Sequence, residues 1–166
     1  MKRSEAIRSV LEGLKENDIA LFATGMTSRE AFSIKDRPNN FYIIGSMGLI
    51  SSIGLGIALN TKKKVYLFDG DGSILMEMGT LAQIGAEAPK NLVHICLDNQ
   101  AYQSTGSQPT ISNKVDLAKI AEAAGYGAAN GPEFILMKVE NDEGEPPPRV
   151  SVSPEQMASR LMRSIK

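Results

Sequence analysis

The chain of 166 residues alternates short apolar runs with longer amphipathic stretches. The apolar runs, at residues 19–23, 41–44, 65–68, 92–97 and 134–139, are bounded by polar residues or glycines, which is typical of buried strands. The amphipathic stretches carry apolar residues at helical spacing, at residues 4–16, 48–60, 74–86, 115–124 and 154–165. Because strands and helices alternate, the pattern predicts an α/β fold with three layers, a mostly parallel sheet covered by helices on both faces.

Details of this prediction concern caps and connections. Ser4 and Ser28 precede or begin helical patterns and are predicted N-caps. Residues 99–113 are predicted to form a polar loop, and the acidic, proline-rich residues 141–153 a linker to the C-terminal helix. The whole chain, 1–166, is expected to be a single domain.

The composition and charge of the chain argue against some classes of function. Eighteen basic and nineteen acidic residues give a net charge of −1, with no basic patch of the kind that nucleic-acid binding requires. No apolar run is long enough to span a membrane, so we expect a cytoplasmic protein. The single cysteine, Cys96, and the single histidine, His94, lie in an apolar run, where packing is the expected role of both.

The first candidate for chemistry is Gly70-Asp71-Gly72-Ser73, which follows an apolar strand and opens a helix. Glycines let the backbone approach a ligand closely, and free N–H groups at a helix start favour phosphate. A carboxylate at that point suits phosphate only with a divalent cation between them, and magnesium prefers such oxygen ligands. A simple tight turn explains the four residues equally well.

The second candidate is Asn99, at the end of the next strand. Residues 73–98 hold one helix and one strand, so Asn99 returns to the sheet edge that carries Asp71. A neutral amide oxygen there would complete a hard-cation site without excess negative charge. Open parallel sheets bind ligands at these carboxyl ends of their strands.

The G-D-G motif followed at this spacing by asparagine resembles the signature of thiamine-diphosphate-dependent decarboxylases. The resemblance implies that Asp71 and the Asn99 side chain bind Mg²⁺, together with the backbone carbonyl of Ala101. It also implies that Gly70, Gly72 and Ser73 form the turn that contacts the diphosphate of the cofactor.

Two other turns fit the same resemblance. Gly45-Ser46-Met47-Gly48 is similar to the family's pyrimidine-contacting turn, in which the Gly45 carbonyl accepts from the cofactor's amino group and Met47 holds the cofactor bent. A core methionine is the alternative for Met47. In the first turn of the chain, Gly25 and Thr27 correspond to residues that touch the diphosphate.

The strings TGMTSREAF, FYIIGSMGLISSIGLGIAL and LDNQAYQSTGSQPT resemble the cofactor-binding half of sulfopyruvate and phosphonopyruvate decarboxylases. Tyr102 belongs to the last of these strings, a hydroxyl-rich loop that could hold an anionic sulfonate or phosphonate or be a plain solvated loop. Relatives place a further strand and helix between the helix at 115–124 and the last strand. That unit is missing here, which leaves the order of the late strands open.

The resemblance implies a 2-keto-acid decarboxylase whose catalytic glutamate lies on a separate pyrimidine domain. Because 166 residues hold no such domain, we expect a partner alpha subunit, with this chain as the beta subunit and self-association also open. The length favours an anionic sulfopyruvate substrate. Phosphonopyruvate, a non-catalytic module that binds magnesium and diphosphate, and a flavodoxin-like domain without thiamine are the alternatives.

Overall fold

The fold is built on a five-stranded parallel sheet. The computed structural model describes residues 1–141 and 144–166, and within them the sheet has the strand order β2-β1-β3-β4-β7, every neighbouring pair being parallel. These strands are β1 (Ile19–Phe22), β2 (Asn40–Tyr42), β3 (Val65–Gly70), β4 (Leu92–Asp98) and β7 (Glu133–Lys138). β5 (Ala101–Tyr102) and β6 (Gln108–Pro109) pair with each other as a separate antiparallel hairpin.

Seven α-helices are described with this sheet. They are α1 (Arg3–Gly13), α2 (Met26–Ile34), α3 (Ile50–Leu59), α4 (Asp71–Met76), α5 (Gly79–Glu87), α6 (Leu117–Ala123) and α7 (Pro154–Ile165). One apolar cluster joins the sheet to α3, α4, α5 and α6, and another joins its opposite face to α1 and α2. α7 packs beside β2 and contributes to both clusters. The predicted three-layer α/β fold is therefore confirmed.

The sequence pattern explains why each strand serves both faces. Along β1, Ile19 and Leu21 belong to the first cluster, whereas Ala20 and Phe22 belong to the second. Side chains alternate across a strand, so a strand covered on both sides must be apolar throughout. β4 is buried at every position, which agrees with its continuous apolar run.

Both predicted caps are wrong. Lys2, not Ser4, is the N-cap residue of α1, and the Glu5 carboxylate accepts from its backbone N–H at 2.8 Å. Gly25, not Ser28, precedes α2 and has φ 87°, a conformation that favours glycine. The Ser28 hydroxyl donates instead to backbone carbonyls at the end of β1, so it fixes the strand-to-helix turn from inside.

The single helix predicted at 74–86 is also wrong, because α4 and α5 are separated at residues 77–78. Glu77 leaves the helical region with φ −130°, and its side chain packs against Gly48. The predicted polar loop at 99–113 contains the β5–β6 hairpin and a 3₁₀ turn at Gln103–Thr105. A local hairpin of two-residue strands has too short a pattern to predict.

The end of the sheet resolves the order of the late strands. β7 lies beside β4, and the crossover between them is made by residues 99–132, which include α6. Residues 124–132 form no helix or strand, in agreement with the missing unit. In the predicted linker 141–153, residues 144–153 are irregular and positions 142 and 143 lie outside the described residues.

Candidate functional site

A cleft at the carboxyl ends of β1, β3 and β4 collects most of the predicted site residues. The cleft is small and open to solvent. The predicted residues that line it are Thr27, Met47, Gly70, Asp71, Gly72, Ser73, Asn99, Ala101 and Tyr102. Four turns that are far apart in sequence therefore meet around one space.

Three predicted residues do not line the cleft but lie beside it. A side chain on Gly25 would meet Ser104 of the cleft wall at 3.4 Å. The Gly45 backbone N–H donates to the Thr24 hydroxyl at 3.0 Å, and Thr24 lines the cleft. Ser46 has φ 49° and faces a neighbouring apolar groove instead.

Gly72 is the closest-packed point of the cleft. A Cβ on Gly72 would lie 2.8 Å from Cδ1 of Tyr102 and 3.2 Å from Cε of Met47. These distances are shorter than ordinary carbon contacts, so only glycine fits between the two side chains. Met47 therefore faces the turn at 70–73 and not the core of the sheet.

Ser73 connects two of the turns. Its hydroxyl oxygen accepts from the backbone N–H of Gly48 at 3.2 Å, and both atoms are buried. Gly48 has φ 94°, which a residue with a side chain would rarely adopt. The turn at 45–48 is consequently held at a fixed distance from the turn at 70–73.

Asp71 is the acidic residue among those that line the cleft. It is 1% exposed, and the Thr110 hydroxyl donates to its Oδ2. Burial raises the pKa of this carboxyl, and the nearby Asp98 adds to the rise, whereas hydrogen bonds from Thr110, Ser112 and the Gly72 backbone oppose it. A cation bound at this carboxylate would therefore be favoured.

The oxygen ligands at this end of the cleft suit a hard cation that takes its remaining ligands from a bound molecule or water. Asp71 supplies a carboxylate, Asn99 an amide oxygen and Ala101 a backbone carbonyl, all of them oxygens of the kind that Mg²⁺ prefers. The Asn99 Oδ1 also accepts from the Ala101 N–H at 3.2 Å, which turns the two residues toward each other. Nowhere in residues 1–141 and 144–166 do three acidic, histidine or cysteine side chains cluster as a self-sufficient metal site.

Other residues in the cleft wall were not predicted. Arg3 lines the cleft, is 6% exposed, and contacts both carboxylate oxygens of Glu30 and the Gln103 side chain. Nothing in an N-terminal amphipathic helix indicates such a position. Thr110 and Ser112, which lie beside Asp71 and Asp98, depend on how the 99–113 loop folds back.

His94 and Cys96 are buried, as predicted. The His94 imidazole contacts Asp69 Oδ2 at 3.2 Å and the Tyr126 hydroxyl at 3.1 Å. The Ser51 hydroxyl donates to the same Asp69 oxygen. Cys96 is fully buried, and burial raises the pKa of its thiol, which keeps it in the unreactive neutral form.

Comparisons with known proteins agree with this geometry. Residues 23–142 match the family model described as the thiamine pyrophosphate enzyme, C-terminal TPP binding domain. The chain belongs to this family of thiamine pyrophosphate enzymes, and the match covers all four turns of the cleft. The cleft is thus part of a thiamine pyrophosphate-binding domain.

Individual proteins of known name are similar to the chain over most of its length. The chain is 36% identical to "Sulfopyruvate decarboxylase subunit beta" of Methanothermobacter thermautotrophicus, over 100% of this chain and 96% of the relative. It is 48% identical to the protein of the same name from Methanocaldococcus jannaschii, over 75% of this chain and 66% of the relative. It is 45% identical to "Phosphonopyruvate decarboxylase" of Streptomyces viridochromogenes over 77% of this chain, which is 32% of that protein.

Solved structures share the fold at lower identity. A thiamine diphosphate-dependent 4-hydroxybenzoylformate decarboxylase of Rhodococcus jostii matches with a TM-score of 0.72 and 20% identity, over 87% of this chain and 33% of that one. A structure described as a "putative thiamin diphosphate-dependent enzyme" of Mycobacterium smegmatis matches with a TM-score of 0.70 and 17% identity, over 84% of this chain and 32% of that one. Among the described helices, none combines the length and apolar character needed to cross a membrane.

Proposed function

We propose that the chain is the cofactor-binding beta subunit of a thiamine-diphosphate-dependent 2-keto-acid decarboxylase, with sulfopyruvate as its substrate. The observation that carries the proposal is the meeting of Asp71, Gly72, Asn99 and Met47 around one cleft of a thiamine pyrophosphate-binding domain. A relative aligned over nearly its whole length is named "Sulfopyruvate decarboxylase subunit beta". A cytoplasmic location remains an expectation from the sequence.

In the proposed complex, Asp71, Asn99 and the Ala101 carbonyl hold Mg²⁺, and the backbone of the turn at 70–73 with the Ser73 hydroxyl contacts the diphosphate. The backbone of Gly45 and Ser46 positions the pyrimidine ring, Met47 supports the bent cofactor, and Tyr102 closes the cleft over Gly72. Gly25 and Thr27 lie on the remaining side. Thiamine diphosphate supplies the electron sink that a 2-keto acid needs to release carbon dioxide.

The proposal of a partner subunit follows from the number of acidic side chains in the cleft. Among the described residues that line it, Asp71 is the one acidic side chain, and it is assigned to the metal. A second carboxyl group is needed to protonate the aminopyrimidine ring, and we propose that an alpha subunit with a pyrimidine domain provides it. The two apolar clusters share one sheet, which supports treating residues 1–166 as a single domain.

Binding of the cofactor tests the site. Calorimetry should show that the purified chain binds thiamine diphosphate only with Mg²⁺, because one carboxylate cannot hold the metal without phosphate oxygens. The Asp71→Ala variant should bind neither, whereas Glu87→Ala, which removes an exposed carboxylate on α5, should bind as the original chain does. Tight binding of the cofactor by Asp71→Ala would contradict the assignment.

Turnover tests the partner and the substrate. The chain alone should release no carbon dioxide from sulfopyruvate, and addition of a pyrimidine-domain alpha subunit should produce activity. Turnover by the chain alone would disprove the need for a separate subunit, and cofactor binding without activity in the pair would favour a non-catalytic module. Phosphonopyruvate should be assayed in parallel, since a relative with 45% identity is named for it.

A further inference from the structure

The far end of the loop that follows β4 reaches back to the candidate metal ligand. Thr110 is 4% exposed, its hydroxyl donates to Asp71 Oδ2, and its backbone N–H donates to the Gln100 carbonyl at 2.9 Å. The loop between Gln100 and Thr110 contains the β5–β6 hairpin and Ala101, whose carbonyl is a proposed metal ligand. One threonine therefore joins both halves of the proposed metal site.

The Thr110 hydroxyl proton has two acceptors within reach, the Asp71 carboxylate and Ser112 Oγ at 2.9 Å. The backbone N–H of Ser112 donates to Thr110 Oγ1 at 3.3 Å, so the threonine oxygen already acts as an acceptor there. A hydroxyl has one proton, and a carboxylate oxygen is a stronger acceptor than the Ser112 hydroxyl oxygen, so the Thr110 proton points at Asp71. The Thr110 hydroxyl consequently fixes the rotation of the Asp71 side chain.

Asp98 is separated from Asp71 by the same two hydroxyl groups. Ser112 Oγ lies 2.9 Å from Thr110 Oγ1 and donates to Asp98 Oδ1 at 2.9 Å. The Lys138 ammonium group forms an ion pair with the other oxygen of Asp98. Asp98 therefore has a cationic partner, whereas none of the ion pairs within residues 1–141 and 144–166 involves Asp71.

We propose that Thr110 is a positioning residue for the metal site: it holds the Asp71 carboxylate in the rotation that binds the divalent cation, and Ser112 holds Thr110. This inference rests on the proposed function, since it assumes that Asp71 is a metal ligand. Thr110 itself contacts the carboxylate and is not assigned as a ligand. Its effect should therefore appear in the affinity for the metal.

The test measures the affinity of the chain for Mn²⁺, a paramagnetic substitute for Mg²⁺. Free Mn²⁺ is quantified by its electron paramagnetic resonance signal at saturating thiamine diphosphate. Thr110→Val removes the hydroxyl but keeps the shape, and we expect the Kd for Mn²⁺ to rise about tenfold, the usual scale of one hydrogen bond to a charged group. Thr110→Ser restores the hydroxyl and should bring the Kd to within about threefold of the original chain.

Thr80→Val is the matched control. Thr80 is also buried, on α5, and its hydroxyl lies 3.2 Å from that of Ser52, away from the cleft. This variant should lose thermal stability to a similar extent as Thr110→Val, with an unchanged Kd for Mn²⁺. A purely structural role for Thr110 predicts instead that both variants lower the melting temperature and neither alters the Kd.

Each outcome decides the proposal. Binding of Mn²⁺ by folded Thr110→Val as tightly as by the original chain would overturn the positioning role and leave the proposed function standing. Absence of any Mn²⁺ and cofactor binding by the original chain would overturn both. If Thr110→Val does not fold, Ser112→Ala decides, with an expected rise of about threefold in the Kd and an unchanged value counting against the proposal.

Discussion

Two buried aspartates near the carboxyl end of β3, Asp69 and Asp71, are separated by one residue and have opposite surroundings. Asp69 is fully buried and is surrounded by partners: Ser51, the His94 imidazole and the Gly70 N–H at 2.9 Å. Asp71 is equally buried but faces the cleft and has no ion pair among the described residues. Asp69 completes the sheet, whereas Asp71 is left for a ligand.

This difference shows how a strand end separates support from binding. A buried charge with a full set of partners contributes to folding, and breaking such a set is costly. A buried charge that lacks a cation is unfavourable until one arrives, which makes it a sign of function. Because Asp69 has a full set of partners and Asp71 does not, substitutions at the two positions should have opposite consequences.

The largest effect on stability should come from Asp69→Ala. Removal of this carboxylate leaves the buried His94 Nε2 and the Ser51 hydroxyl without their partner, so the free energy of unfolding should fall by about 3 kcal/mol. For a chain of this size that corresponds to a drop of roughly 6–12 °C in melting temperature. Asp69→Asn keeps an acceptor and should lose less, and equal melting temperatures for all three proteins would contradict the prediction.

The next largest effect should be the loss of binding in Asp71→Asn. The amide keeps an oxygen for Thr110 but carries no charge for the metal, so Mg²⁺-dependent binding of thiamine diphosphate should weaken about a hundredfold. Chemical denaturation without cofactor should show that the variant is as stable as the original chain or more so. A loss of stability as large as that of Asp69→Ala would show that the two aspartates do not differ.

Gly72→Ala should have an intermediate effect confined to the cleft. The added methyl group would push Tyr102 and Met47 apart, and we expect binding of thiamine diphosphate to weaken about tenfold. Gly56→Ala on α3 is the matched control, because a Cβ there meets nothing within 4 Å. That variant should gain about 0.5–1 kcal/mol of stability with unchanged binding, since alanine favours a helix more than glycine does.

The smallest effect concerns pH. Burial raises the pKa of Asp71 above its ordinary value, so the folded chain binds this proton more tightly than the unfolded chain does. The stability of the cofactor-free chain should therefore fall as pH rises from the ordinary pKa of aspartate through the raised one. Asp71→Asn lacks this contribution. Denaturation curves should therefore show that the difference in free energy of unfolding between the two proteins changes across that window and is constant below it.

The sequence was sufficient for the features that one segment determines by itself. The strand at 92–98 and the pair of Asp71 and Asn99 follow from an apolar run and from residues placed at strand ends. The break between α4 and α5 was not predictable, because it depends on Glu77 packing against Gly48, a residue of a distant turn. Methionines 76 and 78 look like part of an apolar face, yet both are exposed.

The same limit applies to the site. Gly72 and Met47 could be proposed from motifs, but their common contact with Tyr102 could not. The Thr110 hydroxyl reaches Asp71 only because the β5–β6 hairpin folds the loop back, and a pattern of two-residue strands carries no signal for that. Arg3 enters the cleft wall through the packing of α1 on α2, which composition does not reveal.

The position of β7 at the end of the sheet has a consequence for engineering. Within residues 1–141 and 144–166, β4 is the one strand that pairs with β7, and the ends of β7 carry the charged side chains of Glu133 and Lys138, which discourage accidental pairing with other chains. The segment before it, residues 124–132, is irregular and lies away from the cleft. An additional strand and helix could be grafted there, so this protein offers a place to extend the sheet while its binding cleft stays unchanged.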